Sequence, residues 1–190
     1  MKAIKYSIVM ALLLSSPFAQ SDDGQCQIGN SGLSKIESLE RDGTAESQFQ
    51  LGRHYEYGIC VDQNDALAID WYKKAGAKGS ARANYRLGVL FENGWGAEVD
   101  PKRAVSFYRF AAIQNHALAQ YDLAMMYFEG SGVEQDSVAA YTWLLIAINS
   151  GHEMMREQLR RVASKMTEGE ISTAQSHAAN WISQQQESSI

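Results

Sequence analysis

Two cysteines, four histidines and a set of glycine-rich turns are the residues of this sequence whose types could do chemistry. Cys26 and Cys60 are the only thiols, so they allow a single intramolecular disulfide. The histidines form no ligand pattern. His116 and His152 stand 36 residues apart with no HExxH sequence between them and read as exposed turn residues, while His54 and His177 are isolated and read as satisfied or solvated side chains. "GWGAEVD" and "GSGVEQD" carry the glycine spacing of a phosphate loop, but they lack its lysine and follow helical rather than strand patterns. No metal, cofactor or catalytic residue is therefore expected, and the chemistry that remains is thiol oxidation and surface recognition.

The elements that must position these residues come from an internal repeat. Aligning Ala45, Ala81 and Ala117 keeps a gapless register of 36 residues. Phe49, Tyr85 and Tyr121 coincide, as do Leu51, Leu87 and Leu123, then Gly52, Gly88 and Ala124, then Gly58, Gly94 and Gly130. The second half follows with Ala68, Ala104 and Ala140, and with Trp71, Phe107 and Trp143. Each unit reads as two helices. Ala45, Phe49, Gly52 and Tyr55 make one apolar stripe at helical spacing, and Ala68, Trp71, Tyr72 and Ala75 make another. A glycine inside the first stripe implies close approach of the partner helix. Asn64, Asp100 and Asp136 stand where an N-cap is needed, with Pro101 at the first helical position.

These patterns divide the chain. Residues 45–80, 81–116 and 117–152 are three repeats, and residues 22–43 hold an N-terminal segment with a capping helix from about Leu33 to Asp42. Met155, Leu159, Val162 and Met166, then a capping box in "TEGE" and the run Ile171, Ala174, Ala178 and Trp181, place C-terminal capping helices in residues 153–184. The polar residues 185–190 are expected to fray. At the other end, Lys2 and Lys5 precede the short apolar run "IVMALLL" and the small residues Ala19 and Ser21, so residues 1–21 read as a secretory signal peptide too short to span a bilayer. No stable membrane insertion is expected after its removal, and the location expected is periplasmic or secreted. A formal charge of −5 without a basic block excludes a nucleic-acid partner.

The units, read as A-x-x-x-x-x-L-G-x-x-Y, then G-x-G-V, then A-x-x-W-Y-x-K-A, resemble Sel-one-like repeats, relatives of the tetratricopeptide repeat. The resemblance covers residues 33 to 152. It implies an all-α fold, a right-handed α/α solenoid of helix-turn-helix repeats capped at both ends, and an adaptor or scaffold role in protein–protein interaction. Some exported, cysteine-rich members of the family are linked to β-lactam hydrolysis. They carry a cysteine pair in each repeat, and here no serine has a lysine three positions later. A non-enzyme is expected, with an envelope hydrolase as the rival reading. The placing of one cysteine before the array and one in the first G-x-C-V turn is similar to the periplasmic repeat component of sodium-driven flagellar motors.

Opposite the apolar stripe, the first helices present Gln50, Arg53 and His54, then Arg86, Val89 and Leu90, then Asp122, Met125 and Met126. On the plainer reading Leu90, Met126 and their neighbours pack between units. On the other, Gln50, Arg53, Arg86, Val89, Asp122 and Met125 line a groove for another periplasmic, envelope or secreted protein. The capping helix turns at Gly43 and runs back along the first helix of repeat one, which brings Cys26 toward Cys60 and favours a disulfide over two buried thiols. Cys60 replaces the glycine found at positions 96 and 132. If those glycines have positive φ, a cysteine is strained there, so the first turn is expected to differ in shape from the other two.

Overall fold

Residues 30–187 are described by a computed structural model, and every regular element among them is helical. A short helix α1 (Asn30–Asp42) is followed by three helix pairs: α2 (Ala45–Tyr57) with α3 (Asp65–Ala77), α4 (Ala81–Asn93) with α5 (Pro101–Ala112), and α6 (Ala117–Glu129) with α7 (Ser137–Asn149). A 3-10 turn (Glu153–Met155), α8 (Arg156–Ala163) and α9 (Glu168–Glu187) close the chain. From α1 to α8 each helix packs on its sequence neighbours, and α9 packs on α7, which is the arrangement of an α solenoid with a capping helix.

Capping fixes where each helix begins and ends. The side chains of Thr44, Ser80 and His116 accept from the backbone N–H three residues on, starting α2, α4 and α6. Asn64, Asp100 and Asp136 do the same for α3, α5 and α7, as their residue types require. His116 is thus a half-buried N-cap, stacked on Tyr85 with ring centroids 4.5 Å apart, and not the exposed turn residue its position implied. Burial holds its pKa below the usual histidine value, which keeps Nδ1 free to accept the Ala119 N–H. His152 is also half-buried, without a side-chain capping bond. His54 donates its Nδ1–H to the Ile59 carbonyl, 2.6 Å away, and His177 is exposed.

The repeat pattern becomes packing. In the first two units a tyrosine of the second helix lies flat on a glycine of the first. A Cβ on Gly52 would stand 2.4 Å from the Tyr72 ring, and one on Gly88 would stand 2.4 Å from the Tyr108 ring. The third unit fills the same space with Ala124 and Leu144, both fully buried. At the C-terminal end, Met155, Val162 and Ala174 join the core around Ala140, Leu144 and Ala147 and cover the last repeat, and Ala178 is buried as well. The capping box holds α9, with the Thr167 N–H donating to Glu170 at 2.7 Å and the Glu170 N–H to Thr167 at 3.3 Å. Helix α9 runs to Glu187, past the point where fraying was expected, because glutamine and glutamate propagate a helix already nucleated.

The turn after α2 also departs from expectation. Cys60 has φ 65°, matching Gly96 at 72° and Gly132 at 70°, so all three turns share one shape. Glycine is needed at the later two because the turn presses on the preceding unit. A Cβ on Gly96 would meet the Asp65 backbone at 2.5 Å, and one on Gly132 would meet the Pro101 carbonyl at 2.3 Å. The equivalent neighbour of Cys60 is residue 29, one period before Asp65 and outside the described residues.

Candidate partner-binding face

The first helices of the units, α2, α4 and α6, carry polar contacts from one unit to the next. Glu46 of α2 pairs with Arg82 of α4 and Glu56 of α2 with Arg86 of α4, and Tyr85 of α4 lies beside Asp122 of α6. The six residues expected to line a groove, Gln50, Arg53, Arg86, Val89, Asp122 and Met125, lie on these helices and are all half-buried. Leu90 and Met126 are buried in the core, so the plainer reading holds for them. Gln50 donates to Glu46 at 2.8 Å and accepts from Arg53 at 3.4 Å, and Arg53 also faces the exposed Tyr57 ring at 6.0 Å.

At the junction of the first two units a carboxylate is fully provided for. Glu56, 5% exposed, accepts from the Tyr72 hydroxyl at 2.6 Å and from both Nε and Nη2 of Arg86, the former at 3.1 Å. The guanidinium lies 5.7 Å from the Tyr57 ring centroid, and burial pushes its pKa down to about 10, which leaves it charged at neutral pH. Arg86 is therefore committed to the fold and is not a free element of a groove. A bidentate arginine is the arrangement that best offsets the desolvation of a buried carboxylate.

One period later the same frame carries a different charge. Glu92 accepts from the Tyr108 hydroxyl at 2.6 Å, repeating the Glu56–Tyr72 bond. Position 122, equivalent to Arg86, is an aspartate, and its carboxyl is pushed up to about 8 by burial and then by the charge of Glu92, partly offset by the Tyr85 hydroxyl. Among the described residues neither Glu92 nor Asp122 has a basic side chain at ion-pair distance. In the third unit the polar pair disappears, with Phe128 in place of the glutamate and Leu144 in place of the tyrosine.

The raised pKa has a measurable sign. Because the folded value lies above the ordinary 3.8, the neutral acid stabilises fully below about pH 4 and the contribution is lost as pH rises through about 8. Asp122→Asn is expected to remove that slope, making the variant more stable than the wild type above pH 8 by about 2 kcal/mol after allowing for partial exposure. Urea unfolding at low, neutral and high pH checks this. Parallel pH dependence in the two proteins would show that Asp122 is solvated.

The sequence offers Tyr72 and Tyr85 only as packing positions of the repeat and gives no separate signal for Glu56, Glu92 and Tyr108. What signal there is lies in the 36-residue alignment, where Glu56 falls over Glu92, Tyr72 over Tyr108 and Arg86 over Asp122. A charge reversal at one repeat position stands out only once a carboxylate is known to face it. No group of three or more histidine, cysteine, aspartate or glutamate side chains that could hold a metal ion occurs among the described residues.

Comparison with known proteins addresses the fold and the repeat. The Sel1 repeat family model matches residues 45–80, 81–116 and 117–152. Among solved structures, the chain is similar to a protective antigen present in uropathogenic Escherichia coli strains that displays an SLR fold. The TM-score is 0.70 at 29% identity, over 78% of this chain and 32% of that one. It is also similar to a Sel1 repeat protein from Oxalobacter formigenes, with TM-score 0.62 and 34% identity, over 68% of this chain and 97% of that one. The match therefore spans about a third of the length of the first and nearly all of the second. No curated protein matches.

Proposed function

The chain belongs to the Sel1 repeat family, and from that premise we propose that it is an exported, non-enzymatic adaptor that binds a periplasmic, envelope or secreted protein along its first-helix face. Sel1 repeats mediate protein–protein interaction. The observation that carries the placement is the α2–α4–α6 face itself, where Val89 and Met125 stay half-exposed beside two carboxyl groups, Glu92 and Asp122, with no basic side chain at ion-pair distance among the described residues. Export rests on residues 1–21, which lie outside the described residues. None of the described helices is long and apolar enough to cross a membrane.

The test uses the tagged chain in envelope extract with in-cell crosslinking, comparing wild type with Val89→Asp and Met125→Asp. Both sites are half-exposed and outside the Glu56–Arg86 pair, but Val89 also packs on the core, so Met125→Asp is expected to keep wild-type circular dichroism and lose the partner, and Val89→Asp to lose the partner at some cost in stability. Undiminished capture by both would move the binding face elsewhere. Turnover of a β-lactam or cell-wall substrate by purified chain, abolished by one nucleophile substitution, would replace the adaptor reading with the hydrolase one.

The same reading includes a Cys26–Cys60 disulfide that ties the N-terminal segment to the first turn. Cys26 lies outside the described residues, and the support is the export signal, the two-cysteine count and the left-handed backbone of Cys60. A cysteine kept where glycine is otherwise used implies a role for the side chain that outweighs about 1 kcal/mol of backbone strain. Non-reducing mass analysis of the secreted form is expected to give a chain lighter by two hydrogens than the reduced one. Two alkylatable thiols without reduction would remove the disulfide.

A further inference from the structure

The two inter-unit junctions are built on one template and differ in one charge. At the first, the Glu56 carboxylate holds the Tyr72 hydroxyl and the Arg86 guanidinium, and it is buried by them. At the second, Glu92 holds the Tyr108 hydroxyl in the same way, but the residue facing it is Asp122, and Glu92 is exposed. The Tyr85 and Tyr108 rings lie 5.9 Å apart, with Asp122 beside Tyr85 and the Tyr108 hydroxyl donating to Glu92 at 2.6 Å. A frame that carries a guanidinium in one copy is thus lined with carboxyl groups in the next.

We infer that the junction between α4 and α6, edged by Glu92 and Asp122, receives an arginine side chain of the bound protein in the place that Arg86 fills one repeat earlier. The inference rests on the adaptor reading and names the chemistry of its partner. Arginine fits better than lysine, because a planar fork can meet a carboxylate with two parallel hydrogen bonds, as Arg86 meets Glu56. The half-exposed Val89 and Met125 lie one turn from Glu92 and Asp122 on the same helices and offer an apolar bed to the methylene stem. Entry of the cation gives the carboxyl pair its missing counter-charge and draws Asp122 into its ionised form. The acidic balance of the chain, −5 overall, favours the same sign of partner.

The experiment follows the side-chain carboxyl resonances of Glu92 and Asp122 in the full chain while N-acetyl-arginine amide is added. Both are expected to shift saturably, and N-acetyl-citrulline amide, with the same shape and no charge, is expected to leave them in place. Asp122→Asn should weaken the response about tenfold or more, as loss of a charge-assisted bond requires. Asp122→Arg should rebuild the first junction in the second, raise the Tm and abolish the response. Equal shifts with citrulline, a response that survives in Asp122→Arg, or calcium chloride acting on both carboxyls at lower concentration than the arginine derivative would each overturn the assignment. A partner retained equally by wild type and Asp122→Arg would also overturn it while leaving the adaptor reading intact. The adaptor reading fails separately, if wild type captures no partner in envelope extract.

Discussion

Arg86→Glu is expected to destabilise the fold by about 3 to 5 kcal/mol, because it leaves a buried carboxylate facing a second one. For a chain of this size that corresponds to a Tm lower by roughly 10 °C. The argument is one of burial. Glu56 and Arg86 are 5% and 19% exposed, and the carboxylate also carries the Tyr72 hydroxyl, so removing the guanidinium strands a group that water cannot reach. The Glu46–Arg82 pair, with both side chains more than half exposed, spans the same two helices and is the internal control. Arg82→Glu is expected to cost less than about 1 kcal/mol. Replacing both Glu56 and Arg86 by methionine should recover most of the loss, since an apolar pair carries no desolvation penalty. Urea unfolding of the four proteins decides the matter, and equal losses for Arg86→Glu and Arg82→Glu would show that the first junction is wet. Arg86 is accordingly a poor probe of partner binding, whatever its position on the face.

Gly88→Ala is expected to cost about 3 kcal/mol, unusual for an alanine in mid-helix, where the substitution normally stabilises. The new methyl would overlap the Tyr108 ring at 2.4 Å, and the ring cannot swing aside without breaking its bond to Glu92. The third unit shows the remedy, with Ala124 opposite Leu144 in a fully buried contact. Gly88→Ala combined with Tyr108→Leu should therefore be more stable than the sum of the single effects by about 1 to 2 kcal/mol. A double-mutant cycle by urea unfolding measures this, and additivity would mean that glycine and tyrosine are not matched through contact. The same comparison explains why units one and two keep a tyrosine–glutamate bond where unit three has leucine and phenylalanine. The three positions change together because they share one space.

The architecture was legible in the residues because helical periodicity, caps and a 36-residue register are local properties that repeat. Asn64, Asp100 and Asp136 cap the helices they precede, and the stripes through Leu51, Leu87 and Leu123 are buried. Capping histidine at 116 was not legible, since histidine is an uncommon cap and its half-buried state comes from stacking on Tyr85, a residue of the previous unit. The shape of the first turn was misjudged for a similar reason. Glycine at 96 and 132 answers two demands at once, a left-handed backbone and a helix start pressed against it, and Cys60 shares that backbone although it carries a Cβ.

The candidate face divides along the same line. The sequence alone determined which residues lie on it, because positions 50, 86 and 122, and 53, 89 and 125, are tied to the apolar stripe by helix geometry. Tertiary structure decided what those residues are for. Whether an arginine binds a partner or a neighbouring glutamate depends on which side chains adjacent units bring within about 3 Å, and hydrogen bonding at that range is set by packing rather than by spacing along the chain. Arg86 was thereby taken into the fold, and Asp122, its counterpart one repeat on, was left facing Glu92 with no counter-charge.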